Sequence, residues 1–186
     1  MFIIESIIYI NSIVWLIIPI RQFKTRFFLF FLILGLLDPT AYILGQIFKL
    51  NYAVSYLFGT IILLYPALFE IKKKFKLGLV LTLFSTGLIV VFYAMNISLF
   101  IQMVVHFIIF VSFLKVLVVF FSENRKLLLF HLMLVLYEFS LLLKFFVFYL
   151  EPGVGPAYYY VTTAFEIMNG IFFIFFNEEH SPKLSM

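Results

Sequence analysis

Seven apolar stretches of about twenty residues, parted by short polar breaks, leave this chain few ways to fold. A hydrocarbon layer about 30 Å thick is crossed by a helix of about 20 apolar residues. In lipid every backbone N–H and C=O must be satisfied within the protein, so such runs become helices. The stretches fall at 2–20, 27–48, 52–70, 77–94, 97–121, 127–150 and 157–176. The breaks are 21–26, 49–51, 71–76, 95–96, 122–126 and 151–156. The Glu-Pro-Gly-Val-Gly-Pro run at 151–156 is the clearest turn, joining two helix-breaking prolines to two permissive glycines. The expected fold is all-α, a polytopic seven-transmembrane-helix bundle forming one domain over 1–176, with a short tail at 177–186.

Composition agrees. Hydrophobic residues make up 65% and charged residues 12%, with a mean hydropathy of +1.18. A soluble domain carries about 25% charged residues, so this chain cannot cover itself with polar surface. Charge placement orients the bundle. Ten of the thirteen basic residues fall in the first, third and fifth breaks and the tail. Lys49 sits alone in an opposite break, and Lys115 and Lys144 lie within spans. The positive-inside rule then places the N-terminus outside and the C-terminus in the cytoplasm. No basic residue or small-residue cleavage site marks the first span as a signal peptide. There is no cysteine, so disulfides, thiolate metal sites and cysteine nucleophiles are excluded.

Three acids interrupt the oil. Counting along the spans puts Asp38, Glu138 and Glu166 at the centres of the second, sixth and seventh. Asn11 is central in the first, and His106 lies a few residues outward of centre in the fifth. A carboxylate in hydrocarbon is penalised by at least ~2.5 kcal/mol, so it persists for a reason. Stripes at helical spacing support a shared polar layer: Gly35, Asp38, Tyr42 and Gly45 in the second span, and Tyr159, Thr162 or Thr163, Glu166, Asn169 or Gly170 in the seventh. His131 and Glu138 share a face in the sixth; Ser98, Gln102 and His106 do in the fifth; Gly78, Thr82 and Ser85 do in the fourth. Pro39 frees a backbone carbonyl one turn before it, so Asp38 marks a plausible cation or ligand site. The competing explanation for the small and hydroxyl residues is a packing seam. The candidate ligand- or ion-binding set is Asp38, Glu138, Glu166, His106, Asn11, Tyr42 and Asn169. Lys115 and Lys144 are near enough to the two faces to snorkel. Lys115 and His131 could instead approach Glu138, and Glu5 could approach Lys144.

Other chemistries lack their residues. There is no His-Glu-x-x-His, and His106 and His131 lie at depths too different for haem. No Gly-x-Ser-x-Gly or nucleotide-binding loop occurs. The rhodopsins share the topology, but 157–176 has no lysine for retinal. The seven-helix sugar transporters share size and topology, but no repeat relates the first three spans to the last three. No catalytic residue, cofactor, metal or nucleic-acid contact is expected.

Tyr137-Glu138 with Lys144 in the sixth span, and Glu166-Ile167-Met168-Asn169-Gly170 in the seventh, resemble small bacterial seven-helix membrane proteins that look like the sensory membrane modules of histidine kinases. The resemblance covers the last third of the chain. It implies a sensing or partner-binding role. The reading that follows is a non-enzymatic membrane protein whose acidic midplane binds a small ligand or lipid, or docks a partner membrane protein or a second copy. The alternative is a small proton- or cation-coupled transporter or channel using Asp38, Glu138 and Glu166.

Overall fold

The computed structural model describes residues 2–49, 51–68, 98–150 and 156–185, with the side chains of 2–5, 156 and 157 outside that description. The predicted fourth span, 77–94, with its Gly78, Thr82 and Ser85 stripe, lies outside the described residues, as does the side chain of Glu5. Six helices are described: α1 (Phe2–Arg21), α2 (Phe28–Phe48), α3 (Tyr52–Leu68), α4 (Ser98–Asn124), α5 (Leu129–Leu150) and α6 (Pro156–Phe175). Two three-residue strands, β1 (Lys126–Leu128) and β2 (Lys183–Ser185), complete them. Three of the helices, α2, α4 and α5, are long and apolar enough to cross a membrane.

Polarity runs inside out. Ile20 is 77% exposed and Val161 69%, whereas Glu138, Asn169 and Gln22 are wholly buried. A water-soluble protein does the reverse; a continuous apolar exterior of this extent calls for a lipid environment. Consecutive described helices lie side by side, and α1 closes the ring by packing on both α2 and α6. The α1–α2 contact depends on Gly35: a Cβ there would overlap the backbone carbonyl oxygen of Trp15. α2 runs unbroken through Pro39.

The two ends of the ring differ. At the basic end, where the 21–26 break and the tail meet, the interior is filled by aromatic rings. Phe31 and Phe173 lie 4.9 Å apart, Phe30 and Phe113 5.1 Å, and Phe130 and Phe173 5.3 Å, mostly edge to face. Such pairs add about 0.5–1.5 kcal/mol each beyond the area they bury. The phenylalanine-rich composition thus packs the middle of this half with rings.

The tail folds back onto the bundle. β2 pairs antiparallel with β1, Leu184 opposite Leu127. The first turn of α5 then takes its missing partners from the tail: Phe130 N donates to Ser181 Oγ at 2.9 Å, and Leu129 N to Pro182 O at 3.1 Å. The α4 helix runs to Asn124, three residues past the expected end. Ser122 and Asn124 bond back to the carbonyls of Val119 and Phe120, and Arg125 closes the helix in the left-handed region at φ 51°. Buried Gln22 caps α6 in turn, its Nε2 donating to the carbonyls of Phe173 and Phe176 at 2.9 Å each. Gln22→Leu strands both carbonyls, which should cost about 2 kcal/mol. Thermal unfolding in detergent will show that loss as a lowered midpoint, and an unchanged midpoint would rule out the cap.

Candidate functional site

Opposite these packed phenylalanines, the ring encloses a cavity of about 420 Å³. Every described helix lines it. Asn11 and Trp15 come from α1, Asp38 from α2, Tyr56 from α3, His106 from α4, Lys144 from α5 and Glu166 from α6. Its wall reaches Ala53, Leu99, Phe148 and Tyr159, which lie near the helix ends remote from the tail. Asp38, His106, Glu166 and Asn11 therefore meet at one cavity, as their shared depth suggested. Asn11 Oδ1 accepts from the Trp15 indole at 3.1 Å, which holds that ring 4.5 Å from Tyr137.

The three carboxyls sit in different electrostatic settings. Asp38 accepts two neutral hydroxyl bonds, from Ser12 and Tyr56, each 2.8 Å. Glu166 is paired with Lys144, Nζ to Oε1 2.9 Å, and the same ammonium lies 4.9 Å from the Tyr159 ring. Glu138 sits behind His106, its Oε2 2.8 Å from Nδ1 of that ring. Its Oε1 is buried with no partner among the described residues. An ionised Glu138 fixes the imidazole proton on Nδ1, leaving Nε2 as the nitrogen that can meet a ligand. His106 also stacks on Phe145 at 5.1 Å.

Several expectations are corrected. Lys144 does not snorkel. α5 and α6 face one another here, and pairing with buried Glu166 removes the cost of two lone charges. His131 does not approach Glu138. Seven residues are about 10 Å of helix, so one face does not mean one depth. His131 Nε2 lies 2.7 Å from Glu178 in the tail, which also takes Arg26 at 2.6 Å. Lys115 is exposed and borders a second cavity, about 470 Å³, at the basic end beside Arg26, His131 and Glu178. Tyr42 is 60% exposed on the outside of α2; beyond Pro39 the buried direction passes to Ala41. Asn169 is buried but off the cavity, donating to the Phe165 carbonyl at 2.8 Å.

Sequence reasoning missed Ser12, Tyr56 and Tyr137. Ser12 adjoins Asn11 at mid-span, so depth counting could have found it. Tyr56 lies one turn into its span, and only its long side chain reaches Asp38. Tyr137 was named beside Glu138 but not counted among the candidate residues, although it presents a ring to Trp15. Among the described residues no three His, Asp or Glu side chains gather as a metal site. Comparison with protein-family models, with curated proteins and with solved structures finds no match to this chain.

Proposed function

We propose that the chain is a seven-span membrane protein, N-terminus outside and C-terminus in the cytoplasm, whose central cavity binds a small polar ligand. In this reading the fourth span occupies 77–94 and the membrane is the bacterial inner membrane. The observation that carries it is the cavity itself: helices from both ends of the chain converge to place Asp38, His106, the Lys144–Glu166 pair and Asn11 around one space. Its volume of about 420 Å³ falls in the range of small-molecule sites. Apolar walls with a few converging polar groups are the usual make-up of such sites. The aromatic packing beneath it, where Phe30, Phe31, Phe130 and Phe173 meet, supports binding, and through it sensing or docking of a partner membrane protein. Native mass spectrometry of protein purified from its own membrane in mild detergent should release a ligand of defined mass. Asp38→Asn with Glu166→Gln should abolish that release. A bare chain in both cases would reject the reading.

A second reading, proton- or cation-coupled transport, draws on one observation. The buried His106–Glu138 pair has a carboxylate oxygen with no partner, an arrangement able to hold and pass a proton. Proton-coupled flux in liposomes should then vanish in Glu138→Gln. Equal flux in Asp38→Asn, Glu138→Gln and Glu166→Gln would sink it.

A further inference from the structure

The charges around the cavity do not balance. Glu166 has Lys144 at 2.9 Å, and Glu138 has His106 at 2.8 Å. Among the described residues, Asp38 bonds the hydroxyls of Ser12 and Tyr56. If His106 is protonated, one negative charge is left over; if it is neutral, two are. The sequence supplies no remedy from the undescribed segment, since residues 77–97 contain no Lys, Arg or His. Lys72, Lys73, Lys74 and Lys76 follow the end of α3 remote from the cavity. Two hydroxyl donors satisfy Asp38 but bring no charge to it, so the complementary ligand for its carboxylate is a cation.

The walls restrict which cation. A bare metal ion would leave most of about 420 Å³ unfilled, and Asp38 offers it one carboxylate where a hard cation takes six or more oxygens. The rings of Trp15, Tyr56, Tyr137 and Tyr159 border the same space as Asp38. The Tyr159 ring already faces one ammonium, Lys144 at 4.9 Å. Aromatic faces beside a carboxylate select organic ammonium groups, whose charge is spread and whose substituents are apolar. Leu34, Leu37 and Leu141 supply the apolar remainder of the wall.

We infer that the cavity takes a monovalent organic cation, an amine or quaternary ammonium, with its charge on Asp38 and its substituents against the aromatic wall. This rests on the cavity being a ligand site. The sharpest test uses choline and its neutral carbon isostere, 3,3-dimethylbutan-1-ol, with butyrate as the anionic control. Binding is measured by calorimetry on the full chain in nanodiscs. Choline should bind at least about tenfold tighter than the isostere. Asp38→Asn should erase the difference, while Tyr56→Phe, which keeps the charge, should retain it. Size-exclusion profiles identify any variant that has lost its fold. Equal or tighter binding of the isostere or of butyrate would overturn the cation and leave the cavity standing as a ligand site. Displacement of choline by sodium with the same dependence on Asp38 would overturn the organic class. Failure of all three probes, together with a bare chain in the native mass spectrum, would remove the site altogether.

Discussion

Lys144→Met should destabilise the bundle by about 3–5 kcal/mol, since it leaves Glu166 buried without its partner. The Glu166 side chain is 6% exposed and its Oε1 lies 2.9 Å from the ammonium. The informative comparison is the double variant Lys144→Met with Glu166→Gln, which removes both charges at similar volume. It should recover most of the loss, because deleting a buried pair is far milder than breaking one. Unfolding in graded mixtures of mild and denaturing detergent provides the four stabilities of the cycle. If the double variant instead loses the sum of the two single losses, the pair contributes no coupling.

The second large effect lies at the α1–α2 contact. In Gly35→Val the new Cβ would collide with the Trp15 carbonyl oxygen and stand 3.0 Å from its carbon and 3.4 Å from the Leu16 Cα. All three are backbone atoms, so the helices must part. Overpacking of this kind costs about 1–3 kcal/mol, and the upper end is expected where no side chain can yield. Separation also pulls Ser12 from Asp38, so ligand binding should weaken with stability. Gly45 provides the control: a Cβ there meets only the Tyr52 ring, which can swing aside. Gly45→Ala should stay within about 1 kcal/mol of wild type by thermal unfolding. An equal loss at both positions would refute the close-approach account.

The helices were legible in the sequence because membrane thickness fixes their length. α2 and α5 begin within two residues of the expected positions, and α6 is displaced by one. The exception, the far end of α4, continues through Ser122, Glu123 and Asn124, because polar residues do not stop a helix once they reach water and can bond back to it. Depth counting put Asp38, Glu138, Glu166, His106 and Asn11 in one layer; Asp38, His106, Glu166 and Asn11 border one cavity, while Glu138 sits behind His106. Direction around a helix was not legible. Tyr42 lies one turn from Asp38 on a plausible stripe, yet faces outward, since which stripe is inward depends on neighbours that spacing does not name. Partner choice was equally hidden: Lys144 could reach the interface or Glu166, and only the facing of α5 and α6 decides. The β1–β2 ribbon was beyond reach, because two three-residue strands separated by two whole helices carry no local signal.

The tail's hold on α5 also sets an order of assembly. Phe130 waits for Ser181, a residue made 51 positions later. Gln22 waits still longer, for carbonyls 151 and 154 positions downstream. During synthesis the first turn of α5 must therefore stay unfinished, with α1 unable to close on its last neighbour until α6 is made. The ring is sealed only after α6 and the segment carrying Ser181 have been made. An insertion machinery that shields polar helix ends until then would be as much a part of this fold as its own side chains.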